Sequence, residues 1–556
     1  MAVGDYFTDR MINIRPMPVL QNLIRSWGRF LPLTIIFCFT GISLLRKIYD
    51  SDIWFHMVVG REVLRHMQVP GVEFYILPRL GEPGEFHEWG FGVLYYLINQ
   101  YAGYAGMAVA NAFFGCGILL FLYLAGHEKG KTDWWQSLPV IALVLWVIEW
   151  RINFRPETLL YLLLAAEIFL LENYLSQRKF FWLMPLPFLA WLLNLAHPSA
   201  IFLIGVFAMY AVQAVWSAAL HKLKVASEFF GVTMAMVVGA ILNPYGLRQL
   251  LLPFYFQNDA LKNSLIEFYP ALQSMYAPQF ITISIIGLIA IIFGPKRRWV
   301  DIFLACSFVL LAFKYSRNTA LLGIVMFVPI KNALVVWIER IPTLTWRTLI
   351  KLCSIMAGMA GIGAVGLNPS WGIGIQKETT PYISATLIKN YGVQGNILNF
   401  FHLGNYLAWN LDRPVFVDGR NYGTNIAVQL HNKIFRADPG WQDLLYRFNI
   451  QAIVTPVTLD IAGEIIPLLV VLENDPDWIL VGQEKAGLLF LRSPVQESIP
   501  ILPKKFIWYQ AIAELKGAMG NPHGNKKIYQ SLAYAYGHLG DVANQQYYRN
   551  LSSFSN

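Results

Sequence analysis

Long apolar runs separated by short polar links fill the first two thirds of the chain. A helix needs near 20 apolar residues to cross about 30 Å of hydrocarbon. On that measure spans are expected at about 30–46, 104–126, 134–150, 157–174, 180–196, 199–220, 228–243, 279–295, 299–314, 319–338 and 349–368, eleven in all. No charged residue occurs from Trp89 to Gly126, a stretch too long for one helix and interrupted by Gly103-Tyr-Ala-Gly106. It splits into a surface helix over about 89–101 and the span that follows. A polar loop, 47–88, lies between the first span and that surface helix.

After about residue 370 the pattern changes. Short β-rich runs (Asn396–Phe400, Pro414–Asp418, Gln451–Thr455, Trp478–Gly482 and Gly487–Leu491) alternate with helical stretches near 381–390, 403–411, 425–435 and 441–448. This predicts a small α/β domain with a largely parallel sheet, without a glycine-rich phosphate loop. From about 503 the chain reads as helical, and Leu532–Ala543 resembles half of a tetratricopeptide unit. One such repeat cannot bury a solenoid core, so a helical hairpin capping the domain is expected. The organisation is then a transmembrane unit over 1–369, an α/β domain over 370–500 and a helical tail over 501–556.

Composition sharpens this picture. Of 556 residues, 56% are hydrophobic and 14% charged, with mean hydropathy +0.45. That excludes an ordinary soluble globular protein and points to a polytopic membrane protein. The 15% aromatic content suits rings at the lipid–water boundary. The net charge of +9 sits in short clusters between apolar runs, which fits membrane topology rather than nucleic-acid binding. Arg10, Arg15, Arg25 and Arg29 precede the first span, and no small-x-small cleavage site follows it. With the N-terminus inside, the links 127–131, 176–179, 221–224, 294–298 and Lys331–Lys351 are cytoplasmic and all basic. Arg46 and Lys47, at the outer end of the first span, run against the rule. Eleven spans from an inside start place the α/β domain outside. Cys38, Cys116, Cys306 and Cys353 lie in apolar segments with no CxxC and read as small core residues. Glu167, within a span, is expected to face the bundle interior as a structural hydrogen-bond partner.

The same topology gathers unusual polar residues at the outer face. Asp50-Ser-Asp52-Ile-Trp54-Phe-His56 opens the first external loop and His87-Glu88-Trp89 closes it. On a helix Asp52 and His56 share a face. One aspartate can act as a general base, the pair with His56 can hold a divalent cation such as Mg or Mn, or Asp50 can cap the helix. Arg151-Ile-Asn-Phe-Arg155-Pro156-Glu157, Arg248 after Asn243-Pro244-Tyr245-Gly246, and Lys314-Tyr-Ser-Arg317-Asn318 are three basic turns suited to an anionic head group. The plainer reading of each is a membrane anchor. His197 is a site residue or an interface histidine. Asp418, in Phe416-Val-Asp418-Gly419-Arg420-Asn421, reads first as a turn residue.

These motifs resemble the GT-C class of membrane glycosyltransferases, in a bacterial branch related to the polyprenyl- or dolichyl-phosphate-sugar mannosyltransferases. The resemblance rests on Asp50 to His56, His87-Glu88-Trp89, Arg155-Pro156-Glu157, Asn243-Pro244-Tyr245-Gly246 and Asp418-Gly419-Arg420, and spans most of the chain. The acidic motif that such enzymes repeat in later loops is represented only by Glu267. The resemblance implies a multi-pass protein of the bacterial inner membrane that moves a sugar from a polyprenyl-phosphate donor to a glycan, lipid or protein acceptor outside. Asp52 or Asp50 would serve as base with Glu88 beside them. Arg155, Arg248, Arg317 and Lys314 would hold the donor phosphate. Trp54, His56, His87, Trp89, Glu157, His197, Asn243 and Tyr245 would contact sugar or acceptor. A lipid or solute transporter and a non-catalytic envelope scaffold are the competing classes. A transporter is expected to show internal repeats and midplane polar groups, and apart from Glu167 the polar residues lie at one face.

Overall fold

Each apolar run becomes a helix, because only an internally hydrogen-bonded backbone is stable in hydrocarbon. The computed structural model describes residues 32–125, 134–255, 266–295, 297–420, 426–459, 463–519 and 525–554. The readings on Arg10, Arg15, Arg25, Arg29, Asn421 and the 127–131 link lie outside these residues. The bundle comprises α1 (Pro32–Ser43), α3 (Trp89–Leu124), α4 (Trp134–Ile148), α5 (Glu157–Gln177), α6 (Leu186–Ala196), α7 (Ala200–Trp216), α8 (Lys222–Ile241), α10 (Ala277–Phe293), α11 (Trp299–Lys314), α12 (Thr319–Glu339) and α13 (Leu344–Val365). Two further helices lie between its members: α2 (Asp52–His66) in the first loop and α9 (Leu247–Tyr255) after α8. Among the described residues, five helices are long and apolar enough to cross a membrane by length and composition. They are the α3, α5, α8 and α13 helices and Ser316–Glu339, which contains α12. At Gly103 (φ 59°, ψ −162°) the backbone of α3 leaves the helical region, where the sequence divides a surface helix from a span.

Buried charges in the bundle serve helix ends. Arg46 is almost fully buried, donating to Ser43 O at 2.7 Å and Val365 O at 3.0 Å and pairing with Glu149 at 3.4 Å. It ties together the carbonyl ends of α1 and α13, which accounts for an arginine where topology alone disfavours one. Lys331 corrects the sequence reading. It is not in a cytoplasmic link but buried within α12, donating to Tyr123 O at 3.4 Å and to Ala125 O beyond the end of α3. Arg298 joins Glu172 of α5 to Asp301 of α11 at 2.8 and 2.5 Å. Glu167 faces the interior as expected, but neither carboxyl oxygen has a hydrogen-bond partner among the described residues. Cys38, Cys306 and Cys353 are exposed on the outer helix surfaces rather than in the core.

The C-terminal part contains α14 (Tyr382–Asn390), β1 (Asn396–Asn399), α15 (Phe401–Leu411), α16 (Ile426–Phe435), α17 (Trp441–Arg447), β2 (Ile450–Thr455), α18 (Pro467–Asn474), β3 (Trp478–Glu484) and β4 (Gly487–Arg492). The sheet order is β1-β2-β4-β3, and only the β1–β2 pair is parallel. The expected largely parallel sheet is therefore wrong. Two residues join β3 to β4, too few for a crossover, so that pair must be an antiparallel hairpin. Pro414–Asp418 is not a sheet strand either. Val415 N–H donates to Tyr75 O at 2.9 Å and Leu77 N–H to Val415 O at 2.8 Å, so the segment pairs with the first external loop. On its other side the Asn399 amide substitutes for a strand, accepting from Phe416 N–H at 2.9 Å and donating to Val417 O at 2.7 Å. The tail forms α19 (Phe506–Ala518), α20 (Asn525–His538) and α21 (Val542–Phe554). Helices α20 and α21 make the hairpin, and Trp508 and His538 both hold Glu473 of α18.

The first loop and the C-terminal domain share one hydrophobic core. Ile53, Trp54, Met57 and Val58 of α2 pack in one cluster with Tyr406, Leu407, Val415 and Phe416, distinct from the core of the bundle. A buried ionic clamp closes the same contact. Arg420 pairs with Asp418 at 2.6 Å and Glu73 at 3.1 Å, Tyr75 OH donates to Asp418 at 2.7 Å, and the guanidinium lies over Tyr75 at 4.5 Å. Asp418 makes the expected turn, its Oδ1 accepting Arg420 N–H at 3.1 Å, and in addition anchors the loop to the domain. Removing one member of a buried pair costs about 3–5 kcal/mol, because the partner charges remain buried. Arg420→Ala should therefore lower the thermal unfolding midpoint and speed protease cleavage between 366 and 381, both measured on detergent-solubilised protein.

Candidate functional site

The site assembles where α2 begins. Asp50 sits just before the helix, and its Oδ1 accepts the Asp52 N–H at 3.0 Å, which supplies one of the orphan donors of the first turn. Its other oxygen receives Arg155 Nε. Arg155 Nη2 reaches Asp52 Oδ2 at 3.1 Å, and Nη1 reaches Glu267 Oε2 at 3.0 Å. One guanidinium therefore binds three carboxylates, two from the first loop and one from a much later connection. Arg151, one helical turn earlier in sequence, adds Glu267 at 2.6 Å and Glu157 at 2.7 Å.

The two aspartates differ in what is left free. Asp50 is buried and both its oxygens are engaged. The Asp52 side chain is 33% exposed, and Arg155 takes only Oδ2. Burial outweighs the pull of Arg155, and with Asp50, Glu267 and Glu157 adding negative charge it lifts the Asp52 carboxyl to about 7.

Beside this cluster Glu88 stands between two histidines. Glu88 Oε2 is 3.6 Å from His56 Nε2, and Oε1 is 3.4 Å from His197 Nε2. A close crossing sets this arrangement: a methyl group on Gly92 would stand 2.2 Å from His56 O, so α3 can approach α2 only with glycine there. Burial pushes Glu88 well above the carboxylate range, helped by Glu157 and Asp52. Burial likewise drives His56 down to about 3 and His197 to about 4. The shifts favour a protonated carboxyl between two neutral rings, a group able to donate as well as accept.

The remaining predicted residues divide. Arg317 is half-buried, lies over Phe268 at 4.4 Å, and has no ion-pair partner among the described residues. Its charge reaches Glu88 and Glu267, so it is a cation of the site not already neutralised. Lys314 is exposed, against Tyr315 at 5.2 Å. Arg248 is 68% exposed and pairs with Glu85 at 2.5 Å. Glu85 also holds His87 at 3.0 Å, and His87 lies against Tyr245 at 4.5 Å. Arg248, His87 and Tyr245 thus form a second group around Glu85. Asn243 is spent on its own turn, donating to Ala240 O at 2.7 Å and accepting from Tyr245 N–H at 2.8 Å. Glu157 is held by Arg151. Trp89 is half-buried with its indole N–H unpartnered among the described residues. Trp54 corrects the sequence reading. It is 2% exposed and wedged between Tyr104 and Tyr406, so it packs the loop against the domain and offers no face to a sugar.

Asp50, Asp52 and His56 do not fit a divalent cation. Arg155 binds both carboxylates, His56 turns to Glu88, and no group of three His, Cys, Asp or Glu side chains suited to a metal occurs among the described residues. Arg151, which opens the Arg151–Glu157 turn, and Glu267, the candidate acid of a later loop, are full members of the cluster. The four-residue spacing of Arg151 and Arg155, and Glu267 as an isolated acid at the outer face, were their signals.

No family model and no curated protein sequence matches the chain. Solved structures do. The apo crystal structure of the oligosaccharyltransferase from Archaeoglobus fulgidus aligns with TM-score 0.55 at 12% identity, over 88% of this chain and 78% of that one. The apo crystal structure of ArnT from Cupriavidus metallidurans aligns with TM-score 0.53 at 11% identity, over 85% of this chain and 98% of that one. The chain has the GT-C fold, a multi-pass helical bundle carrying a soluble domain.

Charge states separate the acids by experiment. Asp50→Asn weakens a charge-assisted pair and should destabilise the protein by about 1–3 kcal/mol in thermal melts at neutral pH. Glu88→Gln keeps the neutral form and should match the wild-type melting midpoint at pH values below the ordinary glutamate value. The sign follows from Glu88 binding its proton more tightly folded than unfolded. Wild-type stability then falls as pH rises above the ordinary glutamate value, and Glu88→Gln should melt higher than wild type at alkaline pH.

Proposed function

We propose that the protein is an integral membrane glycosyltransferase that transfers a sugar from a polyprenyl-phosphate-linked donor to an acceptor hydroxyl. The reaction would take place at the extracytoplasmic face of the bacterial inner membrane, with the N-terminus in the cytoplasm. The GT-C fold supports a membrane glycosyltransferase, and the names of the two neighbours are those of enzymes. The observation that carries the reading is Asp52. It is a partly exposed carboxylate, tuned to about 7, with one oxygen free of hydrogen bonds among the described residues, and Arg317, whose charge reaches the neighbouring Glu88 and Glu267, has no ion-pair partner there.

In this reading Asp52 Oδ1 takes the proton of the acceptor hydroxyl while its oxygen attacks the anomeric carbon. The bond from that carbon to the lipid phosphate oxygen breaks, and the phosphate leaves with the electron pair. Attack from the face opposite the leaving group inverts the anomeric centre. Arg317 meets the leaving phosphate. Arg155 is committed to Asp50, Asp52 and Glu267, so its role is to hold the base. Protonated Glu88 and the Trp89 N–H are donors for sugar hydroxyls. No metal enters these steps, because the acids near Asp52 are already bound by arginine.

A base at about 7 must be ionised to act, so transfer should rise with pH and level off above that midpoint. Asp52→Asn should lower transfer by about 10²–10⁴-fold while leaving membrane insertion intact. The assay uses purified protein with a polyprenyl-phosphate sugar, and normal transfer by Asp52→Asn rules the reading out. Arg317→Ala should cost about 10²–10³-fold in turnover, with partial recovery in Arg317→Lys, which keeps the charge but not the planar fork.

A further inference from the structure

Two adjacent residues of one short turn treat two arginines in opposite ways. The turn is Ile266–Phe268, and it lies against the turn Ser316–Asn318 that leads into α12. Ser316 fastens the two together. Its N–H donates to Tyr269 O at 2.8 Å, and its hydroxyl donates to Glu267 O at 3.2 Å. Phe268 is 7% exposed and meets the Tyr315 ring edge-on, with centroids 5.9 Å apart. Glu267 and Phe268 therefore stand on a backbone fixed from a second connection.

Glu267 neutralises what it touches. Its Oε2 accepts from Arg155 Nη1 at 3.0 Å and from Arg151 Nη1 at 2.6 Å. Arg155 also reaches Asp52 Oδ2 at 3.1 Å, so Glu267 and Asp52 draw on the same guanidinium. Burial raises the Glu267 carboxyl, but Arg151 and Arg155 outweigh it and hold the group below the ordinary glutamate range. Glu267 is thus a fixed negative charge. The other charged groups acting on Asp52 are Asp50 ahead of α2 and Arg155 and Glu157 at the start of α5, and Asp52 in turn acts on Glu88 ahead of α3.

Phe268 holds its arginine without neutralising it. The guanidinium carbon of Arg317 lies 4.4 Å from the Phe268 ring centre and 6.0 Å from that of Tyr315. Arg317 has no ion-pair partner among the described residues, and its charge reaches Glu88, His197 and Glu267. A ring face attracts a cation but carries no net charge to cancel it.

We propose that the Glu267-Phe268 pair apportions positive charge within the site. Glu267 occupies part of Arg155, so that this arginine does not fully neutralise Asp52. Phe268 holds Arg317 by its ring, so that the charge stays available to a phosphate group. Both are positioning residues that act through the arginines. The inference rests on Asp52 being the base and Arg317 meeting the donor phosphate.

The test uses full-length protein in detergent and two measurements that need no turnover. The first follows the protonated-carboxyl infrared band of Asp52, identified as the band that Asp52→Asn removes, against pH. The wild-type midpoint is expected at about 7. Glu267→Gln removes a negative neighbour and leaves Asp52 a larger share of Arg155. Both effects favour the carboxylate, so the midpoint should fall by about one pH unit. Glu267→Asp, whose shorter side chain loosens the hold on Arg155 but keeps the charge, should move it the same way by less, and serves where Glu267→Gln does not fold. An unchanged or raised midpoint overturns the role of Glu267. The second measurement is binding of farnesyl phosphate. Phe268→Leu should weaken it about fivefold without moving the Asp52 midpoint, and Phe268→Tyr, which keeps the ring, should restore it. Wild-type binding in Phe268→Leu overturns the role of Phe268, as does a Phe268→Leu that moves the Asp52 midpoint as far as Glu267→Gln. Normal transfer by Asp52→Asn would defeat the base assignment alone, because the infrared midpoint reads Glu267 whether or not Asp52 is the base. Failure of the wild type to bind farnesyl phosphate would defeat the phosphate role of Arg317, and with it that of Phe268.

Discussion

Arg155 is the residue on which the rest of the site depends. It binds Asp50 and Asp52 from the first loop and Glu267 from a connection more than two hundred residues later. Carboxylates gathered this closely repel one another unless a cation stands among them. Arg151 extends the arrangement to Glu157, so two arginines from one turn hold acids from three parts of the chain. The cluster consumes these charges, whereas Arg317 has no ion-pair partner among the described residues.

The second constraint is the seam between loop and domain. Trp54, Tyr406, Val415 and Phe416 belong to one core, and the Arg420 clamp lies at its edge. The domain is therefore built into the ceiling of the site rather than attached beside it. Its turn at Asp418–Arg420 approaches Asp52 closely: a methyl group on Gly419 would lie 3.4 Å from Asp52 Oδ1.

Within this enclosure the same physical term acts on every ionisable group and sorts them by type. Burial raises the carboxyls of Asp52 and Glu88 and lowers His56 and His197. Arg155 pulls against the rise of Asp52, whereas at Glu88, between two neutral rings, Glu157 and Asp52 add to it and Arg155 and Arg317 oppose it. A base and a neutral donor can thus share one site near neutral pH.

Much of this was legible in the chain. Apolar run length fixed the bundle helices, since a helix in hydrocarbon must satisfy its own backbone. Gly103 marked the break in α3, and alternating short patterns identified most elements of the soluble domain. The first-loop motif and the basic turns held most of the residues that meet at Asp52. What the chain could not show was partner choice. Pro414–Asp418 reads as a sheet strand, but its pairing with Tyr75 and Leu77 depends on which edge is nearest in space. Trp54 reads as an exposed ring beside a site, but a domain beginning three hundred residues later buries it. Arg155 and Arg317 look alike in sequence, and only the positions of Asp50, Asp52 and Glu267 decide which is neutralised. Local pattern sets each segment's conformation because its causes lie within a few residues. Charge pairing, burial and the close approach of Gly419 to Asp52 come from groups distant in sequence, so the tertiary structure alone decides them.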